Sequence, residues 1–327
     1  MVRKKFLLLA LVLSLLCLVF FTGCSMGPSY KFGFIDKDGN FVIEPEFDST
    51  HGFREGLAPV MRGNDLVGKW GFINLEGELV IDYQYDQTRL FFEGLCPVRE
   101  GDENNGRWFF IDQKGNKVIE GDFADASVFV EGMAPVKFSE SGKYGFIDPE
   151  GNIVIEPEFD IASVFSEGYA IYGEGTGNNI KIGIIDRNGD IVVKARYAYC
   201  GSFSEGLSNV KLTRQNKADW GFMDAEGNIV IEAEYAYAYE FSEDLAAVKI
   251  GDVNTGQWGY INKEGEIVIE PQFTHALSFK EGLAAVMTGD EQNGKWGYID
   301  KSGKFVIEPQ FDSAGSFSQG LAPVGIR

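Results

Sequence analysis

From Lys31 onward, short apolar segments alternate with polar turns in a fixed order. One kind of segment reads like Trp220-Gly221-Phe222-Met223-Asp224, a second like Ile153-Val154-Ile155-Glu156-Pro157-Glu158-Phe159, and a third like Gly282-Leu283-Ala284-Ala285-Val286. Each is short, rich in β-branched and aromatic residues, and bounded by turn residues, so each is predicted to be a strand. No segment after residue 30 holds a 3.6-residue period, so no helix is predicted there. The order of segments recurs every 38 residues, with a single step of 36. It predicts eight tandem units that start near residues 31, 69, 107, 143, 181, 219, 257 and 295.

Several columns define the unit. All five tryptophans (Trp70, Trp108, Trp220, Trp258 and Trp296) align with Phe32, Tyr144 and Ile182. The next residue is Gly in every unit but the third, where Phe109 stands. Strand one ends at Asp or Asn, and Gly follows three residues later in all eight units, from Gly39 to Gly303. A type I turn closed by a left-handed glycine needs that chemistry, so strands one and two are predicted to form a tight hairpin. Strand two carries Val throughout and ends on an aromatic residue, from Phe47 to Phe311. A second Phe recurs six residues later, and its regularity predicts stacking against a neighbouring unit. A Glu column (Glu55 to Glu281, with Gln319 last) always lies 23 positions after the Trp column. Length changes only between strand three and the next strand one, which marks that connection as a surface loop.

The run Lys295-Trp296-Gly297-Tyr298-Ile299-Asp300, the turn to Gly303, Val306-Ile307-Glu308-Pro309-Gln310-Phe311-Asp312 and Phe317-Ser318-Gln319-Gly320-Leu321-Ala322-Pro323-Val324 resembles the WG-containing repeat of bacterial proteins. The resemblance covers residues 31–327 and implies an extracytoplasmic or surface β-repeat protein without catalytic residues to carry over. The expected fold is all-β, each repeat giving three, or four, short antiparallel strands. The short connection from strand three to the next strand one implies that these two pair. The array then starts with an unpaired strand one and ends with an unpaired strand three. Their pairing would close a β-propeller-like toroid and remove two open edges. An open curved β-repeat superhelix is the alternative.

The N-terminus follows another rule. Arg3, Lys4 and Lys5 precede an apolar run from Phe6 to Phe21, then Phe21-Thr22-Gly23-Cys24-Ser25. This resembles a bacterial lipoprotein signal: residues 1–23 would be removed, Cys24 would carry the acyl chains, and residues 24–30 would form a tether. The expected location is the cell envelope, outside the cytoplasm, with membrane lipid held through Cys24. Acyl chains contribute about 0.8 kcal/mol per buried methylene, and more than one is needed for durable anchoring.

Composition narrows function. Lys plus Arg number 29 against 49 Asp plus Glu, a net charge of −20. Loss of three basic residues with the signal leaves 26 against 49, or −23. A chain this acidic has no field with which to displace counterions from nucleic acid. Two histidines leave little material for His-based catalysis or metal binding. No catalytic constellation, metal site or cofactor site is predicted, and His51 and His275 are read as surface residues. Cys96 and Cys200 stand in columns of small residues and are read as core residues rather than a disulfide.

The candidate binding residues lie on strand two. Two columns of that strand are largely acidic and two residues apart, so they share a face. Repeat five departs from this, with Lys194 and Arg196 in those columns, flanked by Glu156, Glu158, Glu232 and Glu234 of the neighbouring repeats. This basic spot is either a recognition point or drift balanced by the acids beside it. Elsewhere the acids are read as a solvated face, some paired to the basic column Lys31, Lys69, Arg107, Lys143, Lys181 and Lys295. The expected function is a binding or scaffold module for a protein or a cell-envelope polymer, with an envelope enzyme or a structural spacer as alternatives.

Overall fold

The computed structural model describes residues 30–64, 67–102 and 105–327. The signal, Cys24 and the tether up to residue 29 lie outside the described residues. Eight four-stranded antiparallel sheets are present, and each takes two strands from one repeat and two from the next. One sheet, for example, is built in order from Ser49–Thr50, Ala58–Arg62, Lys69–Ile73 and Leu79–Tyr85. The fourth strand of each sheet is thus a two-residue piece that follows strand two. A 3-10 turn at Gly177–Asn179 is the one helical element among the described residues.

The predicted closure is present. Lys31–Ile35 pairs with Ala322–Ile326, so the first sheet in the chain is completed by its last strands. This is the topology of an eight-bladed β-propeller. Among the described residues, Phe129–Gln272 forms one compact unit, and residues 30–128 form the other together with Phe273–Arg327.

Why the residue after Trp is glycine follows from the hairpin register. Phe34 pairs with Ile43 and Phe32 with Phe47, so two steps on strand one face four on strand two. Strand two therefore arches over Gly33, and an ideal Cβ there would sit 2.4 Å from the Ile43 carbonyl oxygen. The same approach recurs at Gly71, Gly145, Gly183, Gly221, Gly259 and Gly297, at 2.4–2.6 Å from a strand-two carbonyl. Repeat three, with Phe109 in this column, carries Gly121 where repeats one, four, seven and eight have Pro45, Pro157, Pro271 and Pro309. A Cβ on Gly121 would fall 1.9 Å from the ring of Phe123, two residues further along the same strand.

The arch also sets what strand two buries. Its inward residues are Ile43, Ile81, Ile119, Ile155, Val193, Ile231, Ile269 and Ile307, all in the core. The recurring Val instead points outward, and Val42 and Val306 are each 50% exposed. The Phe that follows the short strand stacks on strand one of its own repeat, as in Phe34–Phe53 at 4.7 Å and Phe146–Phe165 at 4.9 Å. Because a repeat is split between two sheets, each of these contacts joins adjacent sheets. Burial of such a ring contributes about 2–3 kcal/mol.

A second joint uses the Glu column. Glu55, Glu131, Glu205 and their equivalents, including Gln319, all have φ between 52° and 57°. With the residue that follows, also at positive φ, each forms a two-residue type I′ turn. Glutamate is unusual in this conformation. Its carboxylate explains it: Glu55 accepts the backbone N–H groups of Glu93 and Gly94 at 2.7 and 2.9 Å, and Glu167 those of Glu205 and Gly206 at 2.6 and 2.8 Å. At the seam, Gln319 Oε1 accepts from Gly56 N at 2.8 Å.

Four of the six residues in the basic column are paired, but not to the strand-two acids as expected. Lys31, Lys69, Lys143 and Lys295 bind Asp48, Asp86, Asp160 and Asp312, each one residue past the aromatic end of strand two, at 2.5–2.7 Å. The other oxygen of each Asp accepts a backbone N–H after strand three, from Gly63, Gly101, Gly175 or Arg327. The alternation of strand two turns its acids away from this site, whereas the Asp lies where the two chain ends of the sheet converge.

Gly259→Ala is expected to lose about 1–3 kcal/mol of stability, because the new Cβ meets backbone that cannot rotate away. Gly52, with open space at its Cβ position, is the matched control: Gly52→Ala should stay within about 0.5 kcal/mol in the same denaturant titration.

The hairpin turns predict an acid response. Asn40 and Asp38 N–H donate to Asp36, and Asn116, Asn152 and Ser302 donate to Asp112, Asp148 and Asp300; these bonds hold the four carboxyls below their ordinary value of 3.8. A carboxyl lowered on folding stabilises fully above its unfolded pKa, and that contribution disappears as pH falls through the folded value. Stability should therefore drop as pH falls below about 4. Asn74 and Asn262 make the same turn bonds with a neutral side chain, so a chain with all four Asp changed to Asn should show a flatter acid limb in pH-dependent thermal melts.

Candidate functional site

The recurring residues are used to hold sheets together, so a binding site must come from positions that vary between repeats. The structure places two variable columns beside the Trp column, on the short strand and just after it. The first holds Ser49, Gln87, Asp125, Ile161, Tyr199, Tyr237, His275 and Ser313. The second holds His51, Arg89, Ser127, Ser163, Gly201, Tyr239, Leu277 and Gly315.

In repeats five to seven these columns assemble a continuous aromatic belt. Tyr199 packs on Trp220 at 5.0 Å, Trp220 on Tyr237 at 4.5 Å, and Tyr237 on both Tyr239 and Trp258 at 5.2 and 5.6 Å. Tyr239 stacks on Trp258 at 5.3 Å with 24° between ring planes. Tyr199, Trp220 and Trp258 are buried, while Tyr237 and Tyr239 are half-exposed. Two adjacent sheets contribute, and Asn209 links them by donating Nδ2–H to the Ala238 carbonyl at 2.7 Å. Asn209 stands where most repeats have Pro or Ala, and Gly201 leaves space for its side chain. Its Oδ1 and the Trp258 Nε1 are buried without a hydrogen-bond partner. Buried polar atoms without a partner are rare in folded proteins.

The belt went unread in the sequence, although a signal was present. The tract Tyr235-Ala236-Tyr237-Ala238-Tyr239-Glu240 alternates Tyr and Ala past the end of strand two. The alternation continues the strand period, so the Tyr side chains share a face.

Other variable residues also cover the Trp column. His51 lies flat on Trp70, at 5.0 Å and 9°. Burial, then the Arg89 charge, lower its pKa to about 4, so the imidazole is neutral. Arg89 lies over Trp108 at 5.0 Å and pairs with Asp125 at 3.3 Å. His275 stacks on Trp296 at 6.1 Å. The two histidines are thus half-buried ring partners rather than simple surface residues. Cys96 and Cys200 are buried and free, as core residues should be; burial pushes the Cys96 thiol up to about 12 and raises that of Cys200 further.

The candidate residues on strand two all face outward. Glu156 and Glu158 lie on Ile153–Phe159, Lys194 and Arg196 on Ile191–Tyr197, and Glu232 and Glu234 on Ile229–Tyr235, each the exposed edge of its sheet. Arg196 ties its strand to the next sheet, where its Nη2 donates to the Gly227 carbonyl of the turn at 3.0 Å, and it also donates to Tyr197 Oη at 2.7 Å. Lys194 stands exposed. In the acidic loops, Asp290 Oδ1 accepts N–H groups from Gln292 and Asn293 of its own loop. No cluster of three or more His, Cys, Asp or Glu is set to hold a metal among the described residues.

Comparison with known proteins agrees with this architecture. No curated protein matches the chain in sequence. Among solved structures, it is similar to prolyl oligopeptidase B from Galerina marginata (TM-score 0.56, 9% identity, covering 86% of this chain and 51% of that one). It is also similar to a eukaryotic initiation factor (0.53, 9%, 88% and 87%) and to the β-propeller domain of the Trilobed protease from Pyrococcus furiosus (0.51, 10%, 81% and 99%). The chain spans about half the length of the peptidases it matches, 51% for prolyl oligopeptidase B, and at these identities the likeness is one of fold alone. The model of the WG containing repeat matches eight times, at residues 32–64, 70–103, 108–140, 144–175, 182–213, 220–253, 258–291 and 296–326. With the glycine arch and the eight-sheet topology, these matches show that the chain belongs to the WG containing repeat family.

Proposed function

We propose that the protein is an extracytoplasmic binding or scaffold module of the bacterial cell envelope, anchored to membrane by lipid on Cys24, and that its ligand is a protein or a cell-envelope polymer. The observation that carries the binding role is the aromatic belt. It breaks the repeat symmetry at one place, whereas the recurring Trp, Gly, Phe, Glu and Asp residues are consumed in joining sheets. The partly exposed rings of Tyr237 and Tyr239, backed by buried Trp220 and Trp258, supply rigid contact area with a polar tip, the chemistry of binding hot spots. Catalysis would need several different reactive groups converging on one point. The belt offers rings and amides instead, which favours binding over chemistry. The basis for the anchor is the charged, apolar and Gly-Cys order of residues 3–24.

Immobilised full-length protein is expected to retain a component of purified cell wall or of envelope protein extract, and the Tyr237→Ala/Tyr239→Ala pair should weaken that retention about tenfold or more. Retention unchanged in this variant would remove the belt from the binding role. Separately, Cys24→Ala should move the protein from the membrane pellet to the soluble fraction; continued membrane retention would show that the acyl chain is not the anchor.

A further inference from the structure

The edge strands differ in a way that the binding role does not use. On each, the outward positions are the recurring Val and the two charged columns. Seven edges show Val followed by acid and then acid or amide, as in Val154-Glu156-Glu158 and Val230-Glu232-Glu234. The edge Ile191–Tyr197 alone shows Val192-Lys194-Arg196. Two copies of a chain with net charge −20 repel one another at the acidic edges. Only the basic edge is complementary to them.

We infer that the chain forms a two-fold dimer through the edges Ile191–Tyr197 and Ile229–Tyr235, the basic edge of each copy facing the acidic edge of the other. These edges belong to adjacent sheets, because Arg196 reaches the Gly227 carbonyl in the turn that leads into Ile229–Tyr235. One surface therefore carries cations and acids side by side. Such a patch is self-complementary about a two-fold axis: Lys194 and Arg196 meet Glu232 and Glu234 twice, and the contact closes. Apolar area is available as well, with Ile191 52%, Val192 42% and Val230 49% exposed. The hydrogen bonds of Arg196 to Tyr197 and Gly227 hold its guanidinium in place before the partner arrives, so less freedom is lost on contact. Opposite charges across paired strands are favourable, and exposed ion pairs of this kind are screened by salt.

The test is sedimentation velocity of the full-length chain in detergent. A dimer is expected at low ionic strength, weakened by added salt. Lys194→Glu alone, and separately Glu232→Lys/Glu234→Lys, should each raise the dissociation constant about tenfold or more. A chain with both edges reversed, Lys194→Glu/Arg196→Glu with Glu232→Lys/Glu234→Lys, should dimerise again. Lys194 stands exposed in the structure, so the single variant tests the interface even if the Arg196 change disturbs the fold. A monomer at every concentration, a dimer indifferent to these reversals, or reversal without rescue would each overturn the proposal.

Discussion

No repeat of this chain can complete a sheet by itself. Strands one and two of a repeat finish the sheet begun by the repeat before it, while its third and short strands begin the next. Each unit therefore depends on two neighbours for its backbone hydrogen bonds, and the recurring side chains serve the same dependence. Phe53 on Phe34 and the Glu55 carboxylate on Glu93 and Gly94 both act across the junction between sheets. Stability is then a property of interfaces more than of units, the hallmark of repeat arrays. Closure gives the two terminal repeats the same number of neighbours as the rest.

The glycine arch shows how a local steric constraint governs distant chemistry. In seven repeats strand two bows over a glycine of strand one, which has no Cβ beneath the bow. The bow then fixes which strand-two residues turn inward, and so leaves Val and the acids at the surface. Repeat three keeps the arch with Phe109 on strand one and Gly121 on strand two.

The sequence made the repeat, the hairpin turn and the closing pair legible, because each rests on residues that recur at fixed spacing. It did not reveal the inter-sheet roles. Glu55 reads as one more surface acid until its left-handed backbone and its two N–H partners are seen. The Lys31 partner was misplaced for a related reason: spacing cannot tell Asp48 from Glu44 or Glu46, but strand alternation turns the glutamates away from Lys31. His51 and Tyr239 were unreadable as ring partners because the tryptophans on which they stack belong to the following repeat. The belt was hidden by the same periodicity that revealed the fold, since comparison by column draws attention to what recurs and away from what varies.

The closing sheet also orders events in time. Lys31 pairs with Ile326, roughly 300 residues away, and Gly56 finds Gln319 across a similar span. During synthesis the first strand emerges long before its partner exists. It must wait with an open edge while every other sheet finds its strands in sequence. Loop closure over such a distance costs about 5 kcal/mol in chain entropy if made from an unfolded chain. It costs far less once the intervening sheets have formed and brought the ends together. The seam is thus the last joint to form and the first whose loss would reopen the array.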